Sequence, residues 1–477
     1  MTIDMNAIVP MLCVTLAALA SMVAEAFRGR GERIPFAFWA IVGLAGAAVS
    51  ARYLWNGNAN GFGVIMADNF GLFVTLVLVV VGMLTVLFSS PILDRDGLPA
   101  GEYYALVLFS IVGMMMMATA NDLLVIFIAL EILSLSVYVL TGIRRDLTGT
   151  EAAFKYFLLG AFSSAFFLYG IAFTYGVTGS TRLSAVGSSL SAQALSDNPM
   201  ILIALGLLLV GFAFKISAVP FHMWTPDAYE GAPAIVTGFM STGVKAAAFA
   251  AFARVFLSSF EPFKDDWAPI VAAIEEATMI LGTVVGVAQT NLKRMLAYSS
   301  IAHGGYLLVG LVAANTVGKA AILFYLLAYS VTNVAAFGVI ALLGSRDRPN
   351  DELRDYAGLW QSRPALAALM TVCLLSLGGL PPTVGFIGKW YIFSAAVSAD
   401  YYSLAIIGVL TSVVSVFFYL RVVVMMYMAE RETPVIPARV GRVGMVALAL
   451  AIVAIFYLGI LPTPVLDLAA QSIATIF

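Results

Sequence analysis

Fourteen stretches of about 20 apolar residues recur along the chain, a length that spans the hydrocarbon core of a bilayer as an α-helix. They lie near 6–26, 35–55, 68–90, 102–119, 122–142, 152–177, 200–219, 234–257, 268–290, 294–314, 318–344, 364–380 with 385–398, 402–428 and 442–461. Of 477 residues 61% are hydrophobic and 11% charged, which reads as a polytopic, all-α membrane protein. Lipid offers no partner to a backbone N–H or C=O. A helix interrupted inside the membrane is therefore tolerated only where protein or a water-filled cavity surrounds the break.

Two stretches carry such interruptions. In FKISAVPFHMWTPDAYEGAP (214–233), Lys215 extends an apolar run that Pro220 then breaks, and Pro233 opens the next run, which carries Lys245. In SLGGLPPTVGFIGKW (376–390), Pro381 and Pro382 break the twelfth stretch ahead of Lys389. A charge at mid-bilayer costs roughly 2.5–3.5 kcal/mol on insertion scales. Breaks and charges side by side point to an ion path.

The broken seventh and twelfth helices are five segments apart, and an odd offset reverses orientation in the membrane. Helices 4–8 and 9–13 then form an inverted repeat, as in many secondary transporters. Loops are short, so residues 1–477 form a single transmembrane domain. It divides into three N-terminal helices (1–100), a first repeat (101–257), a second repeat (268–428) and a C-terminal helix (429–477). The Ser- and Gly-rich connection 178–199 is expected to be a solvated loop.

Lys and Arg set orientation. With the N-terminus outside, inner loops and helix ends hold fifteen basic residues: Arg28, Arg30, Arg33, Arg95, Arg144, Arg145, Lys293, Arg294, Arg346, Arg348, Arg354, Arg363, Arg431, Arg439 and Arg442. The outer side holds five, Arg52, Arg182, Arg254, Lys264 and Lys319, and both termini are expected outside. Residues 1–6 lack the basic flank of a signal peptide. A net charge of −2 gives no reason to expect a nucleic-acid partner. The two cysteines, Cys13 and Cys373, cannot build a disulfide framework or a cysteine-ligated iron–sulfur or zinc site. Without a dinucleotide fingerprint or phosphate loop, no cofactor is expected on this chain.

Glu131 lies nine residues past Asp122, roughly 13 Å into the bilayer, and Lys245 roughly 16 Å into the eighth helix. Neither reaches water by snorkelling unless a cavity is present. A static ion pair between helices is the plainer alternative, though buried pairs are poor sources of stability. Opposed to Glu131, Lys215 would keep its proton, and a lysine whose charge depends on a movable carboxylate is a proton switch. For Lys389, beside Trp390 and Tyr391, the alternative is an interfacial lysine in an aromatic belt. His303, nine residues into the tenth helix, suits a proton relay or a hydrogen-bonded core position. Lys155 and Glu151 lie near the inner surface, Glu102 favours a helix N-terminus, and His222 suits an inner entrance. The Met run 114–117 reads as packing. Glu275 and Glu276 receive no role.

NLKRMLAYSSIAHGGY (291–306) and PFHMWTPDAYEGAP (220–233) resemble the antiporter-like membrane subunits of respiratory complex I and of multi-subunit cation/proton antiporters. The likeness covers helices 4–13. YEGAP, with Lys245 in GFMSTGVKAAAF, is most similar to the N-type branch of proton-translocating NADH:quinone oxidoreductases. The L- and M-type branches usually carry a histidine early in the eighth helix, missing here, and the M-type usually has Glu in place of Lys389. Stopping after fourteen helices argues against the L-type, which bears a long lateral helix.

The resemblance implies proton-transfer roles at Glu131, Lys215, Lys245 and Lys389. It also implies partner subunits that carry flavin and iron–sulfur clusters, oxidise NADH and reduce quinone, in a bacterial inner membrane. A stand-alone cation/proton exchanger and a non-pumping scaffold are the alternatives. Lys389 weighs against the exchanger, since a charged lysine cannot ligate Na⁺.

Overall fold

The computed structural model describes residues 4–29, 32, 34–193, 198–345, 350–430 and 441–476, which are overwhelmingly helical. Arg30, Arg33, Arg346, Arg348, Arg431 and Arg439 lie outside the described residues.

Among the described residues, twelve helices are long and apolar enough to cross a membrane. The first six are α1 (Val9–Ala26), α2 (Phe36–Tyr53), α3 (Asn69–Asp96), α4 (Ala100–Thr119), α5 (Leu123–Thr141) and α6 (Leu147–Thr178). A short helix, α7 (Leu183–Leu190), precedes the broken seventh segment, whose halves are α8 (Met200–Ile216) and α9 (Trp224–Gly231). Then come α10 (Ala234–Ser259), α11 (Lys264–Val287), α12 (Leu292–Ala313) and α13 (Thr316–Leu343). The broken twelfth segment is α14 (Pro364–Gly378) and α15 (Val384–Ser398), followed by α16 (Tyr402–Met428), α17 (Arg442–Ile460) and α18 (Thr463–Ile473).

Short polar side chains start many of these helices. Asp68, Asp122, Asp146, Asn291 and Asn315 each accept a backbone N–H of the first turn of α3, α5, α6, α12 and α13. The lysine-bearing α10 runs through the centre, buried along its whole apolar window, with α12 and α13 nearly so. At the periphery α1, α2, α6 and α17 bury about one third of theirs. The alanine run 246–248 lets neighbours approach α10 closely. One end of α10 is clamped: Arg254 forms two bonds to Asp68, at 2.7 and 2.9 Å, and reaches the Ala118 carbonyl at 3.0 Å.

Three local expectations need correction. The connection 178–199 contains α7, because Leu183, Val186 and Leu190 at helical spacing bury one face. The third helix continues past Pro91 to Asp96 and ends at Gly97, whose φ of 63° favours glycine. Beyond the C-terminal membrane helix lies α18, begun at Pro462, with Leu466, Ala469 and Ile473 buried. A small hairpin, Ala59–Gly61 with Ile65–Ala67, also joins α2 to α3.

Candidate functional site

Lys215 is the penultimate residue of α8, two residues before Ser217, which adopts φ 65° and closes the half-helix. An ammonium is favoured there by the negative end of the helix dipole. The side chain is 3% exposed. Its Nζ donates to Ser134 Oγ at 2.7 Å and lies 5.8 and 5.5 Å from the ring centroids of Tyr138 and Tyr156. The break beyond it is sheltered by protein. Trp224 Nε1 donates to the Phe214 carbonyl at 3.0 Å, Thr225 Oγ1 to Ser217 Oγ at 2.8 Å, and Trp224 stacks on Tyr156.

The expected opposition of Glu131 and Lys215 is not a contact in this structure. Glu131 is half-buried and accepts from Ser164 Oγ of α6 at 2.6 Å. Three residues on, Ser134 faces α8 and takes the lysine, so one helix surface splits the two charges between neighbours. A cavity lined by Ser163, Ser164, Tyr138 and Lys215 adjoins the lysine. It leaves about 10 Å³ for the centre of a water molecule, about what one water needs. Gly160 keeps this corner open: a Cβ there would stand 1.9 Å from the Tyr138 hydroxyl.

Lys245 follows a π-helical turn, Met240–Val244, in the buried centre of α10. Such turns are frequent at functional positions. Its Nζ donates to Ser300 Oγ at 2.7 Å and to the Ser300 carbonyl on α12, and lies 5.7 Å from the Tyr329 ring centroid. One turn along α12, His303 Nδ1 meets the Tyr325 hydroxyl at 2.6 Å and Nε2 meets the Tyr419 hydroxyl at 3.3 Å. The histidine is thus both buried and hydrogen-bonded, and lies within Coulombic reach of Lys245 and Lys389.

Lys389 points inward, 5% exposed, while neighbouring Trp390 points outward at 61%. That geometry is a core position, not an aromatic belt. Its Nζ donates to the Gly378 carbonyl at 3.1 Å, the C-terminal end of α14, and to Ser412 Oγ at 2.7 Å. The Tyr306 ring centroid is 4.9 Å away. Both broken segments therefore set a lysine by the C-terminal end of the leading half-helix, Lys215 within its last turn and Lys389 on its last carbonyl, the kind of end where transporter folds bind cations.

None of the ion pairs found among the described residues includes Lys215, Lys245 or Lys389. Sequence reading missed the neutral groups between them: Ser134, Ser300, Ser412 and the tyrosines 306, 325, 329 and 419. The available signal was the spacing of Tyr325, Tyr329 and Asn333, four residues apart and so on one face of α13. Asn333 donates to the Tyr329 hydroxyl at 3.0 Å and to Ser241 Oγ in the π turn at 2.8 Å.

The weaker candidates stand apart from this line. Lys155 bridges Glu151 and Asp227, at 2.7 and 3.1 Å, on a partly exposed surface. Asp227 and Glu230 also hold Arg294, at 2.8 and 2.7 Å. Glu102 is exposed and 3.9 Å from Arg145. His222 is half-buried beside the first break, and Met114, Met115 and Met117 are core.

The family described as NADH:quinone oxidoreductase/Mrp antiporter, TM, matches residues 120–415, more than half of the chain. The chain belongs to this family of membrane-spanning subunits. Within it, the chain groups with the N-type. It is 45% identical over 477 residues to NADH-quinone oxidoreductase subunit N of Trichlorobacter lovleyi, covering 100% of this chain and 98% of that protein. To subunit N of Chloroflexus aggregans it is 39% identical, covering 99% and 98%. A chain in respiratory complex I from Thermus thermophilus superposes with TM-score 0.82 at 37% identity, over 97% of this chain and 99% of that one. A chain of the Mrp complex from Dietzia sp. shares the fold at 21% identity, with TM-score 0.87 over 99% and 98%.

Proposed function

We propose that this chain is a proton-translocating membrane subunit of an NADH:quinone oxidoreductase. Protons move through Glu131, Lys215, Lys245 and Lys389, with His303 as a relay, while quinone is reduced elsewhere in the complex. The observation that carries this reading is the set of three buried lysines. Each is held by hydroxyl or carbonyl oxygens, with no carboxylate in contact among the described residues. An amine with neutral partners gives up its proton and regains it without breaking an ion pair, which suits transfer rather than fastening. The breaks at Pro220 and Pro382 support two half-paths meeting at Lys245, and the recurring construction favours the inverted pairing of helices 4–8 with 9–13.

The partners are other membrane and peripheral subunits, which carry flavin, iron–sulfur clusters and quinone; this chain holds none. The complex sits in a bacterial inner membrane with both termini of this chain outside. Lys215→Ala tests the reading. NADH-driven proton pumping, normalised to assembled complex, is expected to fall, while NADH oxidation by an artificial acceptor stays. Loss of assembly would make Lys215 structural and favour a scaffold. Purification without a flavoprotein, with Na⁺-dependent transport, would favour an exchanger.

A further inference from the structure

Glu275 is the acid that this relay leaves unused. It sits eleven residues into α11, is 0% exposed, and both carboxyl oxygens lack a hydrogen-bond partner among the described residues. An ionised carboxylate in such a place is disfavoured, so the group holds its proton until a partner approaches. Ionisable groups inside membranes are expensive, and they mark ion paths by default.

Its surroundings join the central line to one end of the bundle. Glu275 shares a buried face with Thr278, Met279 and Gly282 at helical spacing. Thr278 Oγ1 accepts the Val219 N–H at 2.9 Å, inside the first break. Across from this face, α12 is stripped of side chains at Gly304 and Gly305. A Cβ on Gly305 would stand 2.6 Å from Met279 Cγ and 3.3 Å from the Glu275 carbonyl. A Cβ on Gly304 would stand 3.5 Å from Lys245 Nζ. Only the thickness of one helix backbone separates Lys245 from the Glu275 turn. In the other direction lies Tyr401, in the turn before α16. Its hydroxyl pKa is raised by burial and then by Asp265, and would rise further whenever Glu275 ionises.

We infer that Glu275 is a further proton carrier, linking the central lysines to the membrane face on which Tyr401 lies. In each passage its carboxyl O–H releases one proton toward the Tyr401 face. The carboxylate then takes one from the Lys245 side, so the group returns unchanged. The inference rests on the relay reading above.

The test uses the whole complex in native membranes, with Glu275→Gln, Glu275→Leu, Glu275→Asp and Lys215→Ala compared. Proton pumping per assembled complex is expected to fall about tenfold or more in Glu275→Gln and Glu275→Leu, since positioned acid–base groups typically contribute at least ~10²-fold. Glu275→Asp, which keeps the acid, is expected to retain part of it. Infrared difference spectra during turnover are expected to lose the carbonyl band of a non-hydrogen-bonded carboxylic acid in Glu275→Gln. Wild-type pumping by Glu275→Gln or Glu275→Leu overturns the inference, as does failure of both to assemble. If Lys215→Ala also pumps normally, the relay reading itself falls; if only the Glu275 variants do, the relay stands without this branch.

Discussion

Ser134→Ala removes one oxygen, and that oxygen is the hydrogen-bond acceptor at Lys215 Nζ, 2.7 Å away. A hydrogen bond to a charged group contributes about 1.5–3 kcal/mol. The faces of Tyr138 and Tyr156, at 5.8 and 5.5 Å, survive the change and continue to favour the cation. The adjoining cavity has room for about one water, which replaces part of the lost bond. The net effect therefore falls at the lower end, about 1.5 kcal/mol, or a roughly tenfold lower ratio of protonated to neutral Lys215. The assay is the initial rate of NADH-driven acidification in inverted vesicles, divided by the amount of assembled complex. A roughly tenfold slower rate is expected if loading of Lys215 limits transfer. Ser134→Thr, which keeps a hydroxyl, is expected to preserve most of the rate. Equal rates for Ser134→Ala and wild type would refute the assignment of Ser134 as the group that holds the loaded lysine.

Two further outcomes follow from the same geometry. Glu131→Gln keeps size but not charge, and pumping is expected to fail, whereas Glu131→Asp keeps partial activity; equal, near-normal pumping in vesicles by both would leave Glu131 a packing residue. Asp68→Asn strips the partner from buried Arg254, which is expected to destabilise the complex by about 3–5 kcal/mol; an unchanged yield and melting temperature of the complex would show that the Ala118 carbonyl alone suffices.

The sequence exposed the lysines because a charge inside an apolar run is costly and therefore conspicuous. It exposed the breaks because proline in mid-run disrupts a helix, although Pro91 is carried within α3. It could not expose what the lysines touch. Ser134, Ser300 and Ser412 are ordinary residues in membrane helices, and only tertiary packing turns their hydroxyls toward an amine. The same holds for Glu131: its depth was legible from Asp122, but its turn toward Ser164 depends on where α6 packs. Short amphipathic pieces such as α7 and α18 escaped a search for long apolar runs. The π turn in GFMSTGV left no trace, since nothing in those residues forbids an ordinary α-helix.

That turn makes the placement of Lys245 a matter of counting. The segment Lys245–Arg254 is bracketed by two wide turns, Met240–Val244 and Val255–Ser259. In a plain α-helix each residue advances the chain by about 100° around the axis. Deleting one residue within Met240–Val244 removes the surplus and winds the helix into ordinary register. The far end stays fixed where Asp68 grips Arg254. Lineages of this chain are therefore expected to tolerate exchanges at most of these five positions more readily than any change in their number.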